Sequence, residues 1–146
     1  MKTYMLALVG SMIILSGAVN AADRKVMMPI QAAMASDEAK SKLDSSIRFY
    51  FGDAPVSKKA THFGSNRTNK KTNAFNKSDA EACNWVFLSA MLALQKHAKD
   101  IGANAVVNIV SNYDKKEFSS TEEFECHAGG LIAGVALKAD FVRLEL

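Results

Sequence analysis

The fold is decided by a long helix and the strand after it, encoded by residues 78–110, SDAEACNWVFLSAMLALQKHAKDIGANAVVNIV. Ser78 and Glu81 have the spacing of a capping box, in which each side chain bonds a backbone N–H left free by the first helical turn. Apolar residues then recur at helical spacing over a wide arc, which predicts a long helix packed on a broad surface such as a sheet. Gly102 is suited to end that helix in the left-handed conformation. Residues 104–110 are apolar on both faces and predict a central strand.

The segments on either side complete an α+β pattern. Cys126 shares its parity with Phe118 and Phe124, so it is expected to face inward from a half-buried strand. Runs of strands beside few helices favour helices laid on one face of a sheet. We therefore expect a mainly antiparallel sheet with one long helix and one short helix packed on one face. The short helix and the further strands are predicted at residues 29–43, 47–51, 118–128, 131–137 and 141–146.

The first 21 residues have the pattern of a signal peptide. Lys2 precedes a short apolar run, and small residues lead up to Ala21, where cleavage is expected. The run is shorter than the roughly 20 residues that anchor a chain in a bilayer. We therefore expect a periplasmic protein with no integral membrane segment after cleavage, formed by a single domain over residues 22–146.

The charge of the chain is close to balanced. Its formal net charge is +3, and Lys2 lies in the segment expected to be removed. A dedicated nucleic-acid-binding domain normally carries a strong basic excess. The composition therefore predicts no nucleic-acid partner.

The chain has two cysteines, so one intramolecular pairing is available, Cys83 with Cys126. In an oxidising compartment, cysteines of a small domain are more often paired than free. A structural disulfide is therefore the favoured interpretation. A redox or metal-binding role is the alternative, although the sequence has no C-x-x-C motif.

A basic segment covers residues 54–77, which contain no acidic residue and many Asn, Ser and Thr. We predict an exposed connection here, with residues 60–64 as a candidate strand. One interpretation is an anion-binding loop for phosphate, glycan or nucleic acid; the other, which the composition favours, is a solvated basic loop. The candidate anion-binding residues are Lys58, Lys59, Arg67, Lys70, Lys71 and Lys77.

Two stretches carry a family resemblance. Residues 99–107, KDIGANAVV, resemble the junction of helix and strand in the YbjQ-like heavy-metal-binding-domain family and in the RcsF-like envelope lipoproteins. Cys126 and the following residues 130–137, GLIAGVAL, are similar to the RcsF-like stretch that carries one disulfide cysteine. The resemblance implies a YbjQ/RcsF-like α+β domain in which Cys126 pairs with a cysteine near the start of the long helix, a position that Cys83 could fill.

Over nearly its full length the chain also resembles a group of small exported proteobacterial proteins. Residues 72–77, TNAFNK, and 125–129, ECHAG, carry this resemblance. Members of the group often bear the label "excinuclease ATPase subunit". The chain lacks the G-x-x-x-x-G-K-[ST] loop that cradles phosphates, so we expect neither binding nor hydrolysis of ATP.

Residues with catalytic potential are sparse. His62, His97 and His127 lack the spacing of zinc ligands, and no serine lies in a G-x-S-x-G context. We expect a non-enzymatic periplasmic binding or interaction module without a cofactor, which contacts an envelope protein or ligand. The alternative is a metal- or anion-binding periplasmic protein. The sequence leaves homo-oligomer formation open.

Overall fold

A computed structural model describes residues 23–56 and 59–145, so the predicted signal peptide and Lys58 lie outside the described residues. Over these ranges the chain forms a mixed α+β fold with three helices and seven strands, and the predicted α+β class is confirmed. The elements are β1 (Arg24–Pro29), α1 (Ile30–Met34), α2 (Asp37–Lys42), β2 (Arg48–Phe51), β3 (Ala60–Asn73), α3 (Asp79–Ile101), β4 (Ala105–Tyr113), β5 (Lys116–Phe118), β6 (Glu123–Ala128) and β7 (Ile132–Leu144).

The long strand β7 organises the sheet. One of its edges pairs with β3 along the whole strand, and its other edge is shared by β4 and β6. Strand β1 pairs with β6, and β2 and β5 pair with β4. Of the pairings between the described strands, β2–β4 is the parallel one. The prediction of two separate strands at 131–137 and 141–146 is therefore wrong. The polar residues between them, Lys138 and Asp140, continue the strand because both are paired with β3.

Helix α3 has the predicted ends. The Ser78 Oγ accepts a hydrogen bond from the Glu81 N–H at 3.1 Å, and Gly102 ends the helix with a φ of 79°. The buried side chains of α3 and the inward side chains of the strands form one hydrophobic cluster. Within it, the rings of Phe87 on α3 and Phe124 on β6 stack with centroids 4.1 Å apart.

The single short helix predicted at residues 29–43 is not observed. Its first residue, Pro29, ends strand β1, and the remainder forms two helices, α1 and α2. The break has a local cause, because the Ser36 Oγ accepts a hydrogen bond from the Ala39 N–H and so caps a new helix. Strand β1 was missed because Met27 and Met28 gain their β-structure from pairing with β6.

The basic segment is a strand for most of its length. Strand β3 covers the predicted candidate at residues 60–64 and continues to Asn73, so the predicted loop over residues 65–73 is wrong. Its side chains are almost all exposed, and among the described strands it pairs with β7 alone. Pairing with the buried strand β7, rather than an apolar pattern of its own, holds β3 in the sheet.

Candidate functional site

The sheet face turned away from the hydrophobic cluster carries a row of polar side chains. In the β3–β7 register, Ser65 lies opposite Asp140 and Arg67 lies opposite Lys138. Opposed residues of an antiparallel pair project from the same face. The intervening β7 residues Leu137 and Ala139 belong to the hydrophobic cluster, so the polar pairs project the other way. We call this side, defined by Ser65, Arg67, Asn69, Lys138 and Asp140, the open face.

The hairpin formed by β4 and β5 lies beside the open face. Strands β4 and β5 are joined by Asp114 and Lys115, whose φ values of 52° and 61° fit the two-residue turn of a tight hairpin. From the sequence alone, the polar run Asp114-Lys115-Lys116 predicts a turn, and the turn is confirmed at the first two of these residues. The pairing sets Asn112 opposite Glu117 on the two arms of the hairpin.

The hairpin and β3 enclose a groove on the open face. It consists of two adjoining hollows of about 320 and 430 Å³, which share Arg67, Asn112 and Lys115. We call these hollows together the groove. The other residues that line them are Ser65, Asn66, Thr68, Asn69, Asp114, Glu117, Ala136 and Lys138.

The charged side chains of the groove are only partly ion-paired. Three cations, Arg67, Lys115 and Lys138, face two carboxylates, Asp114 and Glu117. The Lys138 Nζ lies 2.6 Å from a Glu117 Oε atom, and this ion pair neutralises one charge of each sign. Within residues 23–56 and 59–145, neither Arg67 nor Lys115 forms an ion pair. Among the described residues Asp114 has no ion-pair partner either, so the groove carries a net charge of +1, with the cations Arg67 and Lys115 lying beside amide side chains and one carboxylate.

At one end of the groove, Asp140 forms hydrogen bonds with residues of two neighbouring strands. Its Oδ1 accepts a hydrogen bond from the Ser65 Oγ at 2.6 Å, and its Oδ2 accepts one from the Asn108 Nδ2 at 3.3 Å. Asn108 has a φ of 50° and lies at an irregularity between Val107 and Val110 in the β4–β7 pairing. Asp140 is therefore engaged in cross-strand bonds that hold β3, β7 and β4 together.

A second polar cluster lies on β6 and β4. The His127 Nε2 lies 2.7 Å from a Glu125 Oε atom, and the Tyr113 ring stacks on the imidazole with centroids 3.4 Å apart. Burial raises the pKa of the Tyr113 phenol, and the nearby Asp23 carboxylate adds to the rise. The pairing of these side chains was not predicted, although the alternation of Glu125 and His127 with Cys126 placed both on one face.

Five of the six predicted anion-binding residues lie in the described part of the chain, at different places on and beside β3, and Lys58 lies outside it. Arg67 lies in the groove, and Lys71 projects from the open face opposite Gly134. Lys70 alternates with them and projects from the other face. Lys77 follows the strand, where its Nζ donates a hydrogen bond to the Asn73 carbonyl oxygen at 2.9 Å; Lys59 precedes the strand.

Sequence reasoning missed two of the groove cations. Lys115 and Lys138 lie far along the chain from the basic segment, and they reach Arg67 only through the pairing of β3, β7 and β4. A local signal existed for Lys115 alone, because it belongs to the predicted turn.

The two cysteines lie where the sequence placed them. Cys83 on α3 and Cys126 on β6 are at disulfide distance, with their Cα atoms 5.9 Å apart. Both are fully buried in the hydrophobic cluster. The predicted pairing is confirmed, and it joins the first turns of the long helix to the sheet.

The three histidines lie apart from any cluster of metal-ligating side chains. The ring of His97 packs edge-on against Phe141, with centroids 4.6 Å apart, and His127 bonds Glu125. In the part of the chain that the structure describes, no three His, Cys, Asp or Glu side chains converge as metal ligands would. Among the described helices, none combines the length and apolar character needed to cross a membrane.

Comparisons of this chain with protein-family models, with curated proteins and with solved structures found no match.

Proposed function

We propose that the protein is a non-enzymatic binding module of the periplasm whose groove holds a carboxylate-bearing ligand. The observation that carries the proposal is the net positive charge of the groove, where Arg67 and Lys115 lie beside amide side chains and Asp114 offsets one of the two charges. In this proposal the helices cover one face of the sheet, and the open face is the binding surface.

The chemistry of the lining favours carboxylates. A guanidinium such as that of Arg67 can donate two parallel hydrogen bonds to one carboxylate, which is among the stronger polar contacts in proteins. Lys115 supplies a second positive charge, at the end of the flexible stem that lysine side chains have. Asn69 and Asn112 can each donate and accept, as the backbone of a peptide ligand requires.

The geometry of the groove favours an extended peptide. Ser65, Arg67 and Asn69 follow one another at alternate positions of β3, so their side chains are spaced by roughly 7 Å. An extended acidic peptide repeats its side chains with the same period. We therefore propose that the ligand is a short extended segment rich in Asp or Glu, provided by an envelope protein.

The polar cluster of Tyr113, Glu125 and His127 supplies no residue to the lining of the groove. His127 engages Glu125 through its Nε2, and Tyr113 covers one face of the imidazole ring. Glu125 engages one of the two ring nitrogens and so orients the imidazole.

The test is calorimetric titration with capped tetraglutamate, using capped tetraglutamine as the uncharged comparison. We expect binding of the acidic peptide that weakens as salt is added, since the contacts are screened. Arg67→Gln and Lys115→Gln should each weaken it about tenfold, a change of about 1.4 kcal/mol. Lys40→Gln, an exposed substitution on α2, is the matched control and should leave the affinity unchanged.

Two results would contradict the proposal. Equal affinity for the acidic and the uncharged peptide would remove the role of the cations. Tight binding that Arg67→Gln and Lys115→Gln leave unchanged would place the site elsewhere on the surface.

A further inference from the structure

Three large apolar side chains are exposed together at one end of the sheet. Phe75, Leu131 and Ile132 are 59%, 67% and 53% exposed, and they surround a shallow hollow of about 480 Å³. We call these three side chains the apolar tip. Monomeric proteins seldom leave several large apolar side chains exposed side by side unless the surface binds something.

The tip is held in place by its backbone. The Ala74 N–H donates to the Leu131 carbonyl oxygen at 2.8 Å, and the Gly129 N–H donates to the Ile132 carbonyl oxygen at 2.8 Å. The segment after β3 and the segment before β7 are therefore joined. The apolar side chains therefore project from a part of the sheet whose backbone is fixed by these two hydrogen bonds.

Cations border the apolar tip. Lys71 lines the same hollow, and the Lys77 Nζ is bonded to the carbonyl oxygen of Asn73, another residue of that hollow. Two carboxylates lie near this end. Asp79 is ion-paired with Arg24 at 2.9 Å, and Asp23 lies against Gly129.

We propose that the apolar tip docks on the surface of an anionic phospholipid bilayer. Phe75, Leu131 and Ile132 would enter the boundary between headgroups and acyl chains, while Lys71 and Lys77 lie among the lipid phosphates. Apolar side chains beside cations are the combination that such a surface recognises. The proposal is independent of the groove, because it rests on different residues at the end of the sheet.

A second copy of the chain fits this surface less well. Three side chains offer much less area than the roughly 800 Å² per partner that a standard stable interface buries. Two copies joined by their tips would also bring Lys71 and Lys77 of each chain towards those of the other, and the like charges would repel.

The experiment is sedimentation of the exported protein with vesicles of phosphatidylcholine, with and without about one-third phosphatidylglycerol. We expect sedimentation with the anionic vesicles that is reversed by salt and weak with phosphatidylcholine alone. The double variant Leu131→Ser with Ile132→Ser should lower the partition coefficient at least about tenfold, because both side chains lose their apolar burial. Lys71→Gln with Lys77→Gln should remove the preference for anionic vesicles. Phe63→Ser, which replaces a 44% exposed side chain towards the other end of β3, is the matched control and should bind as the wild type does.

Circular dichroism checks that each variant is folded. Intact mass shows whether residues 1–21 remain, and the comparison between variants holds in either case because all share the same leader. The proposal is overturned if the wild type stays in the supernatant with anionic vesicles, or if the Leu131/Ile132 variant sediments equally well. It is also overturned if light scattering shows a dimer that this variant abolishes, since the occupant would then be a second copy.

Discussion

Of the small changes outside the aromatic core, removal of the bond between Cys83 and Cys126 should lower the free energy of unfolding most. The bond joins residues 43 apart in sequence, and both cysteines are 0% exposed. The chain-entropy description of a cross-link of this span gives a stabilisation of roughly 4 kcal/mol, because the unfolded chain without the bond gains that much conformational freedom. Typical domains have a total stability of about 5–15 kcal/mol, so the loss is a large share.

The assay is urea unfolding of the wild type and of the double variant Cys83→Ala with Cys126→Ala. We expect the midpoint of the variant to fall by an amount equivalent to roughly 4 kcal/mol, and its denaturant dependence to steepen as the unfolded state expands. Wild-type protein unfolded with a reducing agent is the matched control, since it loses the bond and keeps both sulfur atoms.

The reasoning is refuted if oxidised and reduced wild type unfold at the same urea concentration. Thiol titration of the denatured, unreduced protein is an independent check. Two free thiols per chain in protein isolated from its native cells without a reducing agent would show that the bond does not form there.

Two further predictions follow from single sites. In thermal unfolding, Gly52→Ala should lower the free energy of unfolding by at least about 2 kcal/mol, because φ is 58° and a Cβ would lie 2.8 Å from the Ser120 carbonyl carbon. Gly130→Ala is the control, since its Cβ would meet open space, and it should change that free energy little. The Lys99 ammonium, bonded to Asp44, holds the pKa of that carboxyl well below its usual range. Asp44→Asn should therefore lower the melting temperature at neutral pH, and its difference from the wild type should fade as pH drops below about 4, where the unfolded carboxyl binds a proton first. A difference that is constant from pH 7 to 2 would contradict this assignment.

Elements with local signals could be predicted from the sequence. Helix α3 has its cap at Ser78, its apolar arc and its stop at Gly102 within one continuous stretch, and all three are observed. The Asp114–Lys115 turn and the inward position of Cys126 also depend on neighbouring residues, and both are observed.

Elements formed by long-range pairing could not be predicted in the same way. Strand β3 has polar residues on both faces, so neither the apolar alternation of a half-buried strand nor the apolar run of a central strand appears. Its structure depends on β7, which follows it by more than 50 residues and pairs with it from Ala60 to Asn73. Local composition therefore indicated a loop.

The candidate site was predictable only in part for the same reason. Arg67 was singled out by its basic neighbours, yet Lys70 beside it on β3 projects from the opposite face. Lys115 and Lys138 join Arg67 through the sheet, and no spacing in the sequence brings them together. The exposure of Leu131 and Ile132 likewise became visible only in the structure, because the sequence predicted a strand at residues 131–137 without indicating which of its side chains are exposed.

The central claim is that the groove on the open face binds a carboxylate-bearing ligand, and amide chemical-shift mapping tests it most directly. Capped tetraglutamate is titrated into isotope-labelled protein, and the shift of each backbone amide is followed. We expect the largest saturable shifts at residues 65–69 of β3 and 112–117 of the hairpin, with little change around Trp85 on α3. Shifts centred on α3, or none at concentrations that saturate the calorimetric titration, would contradict the claim.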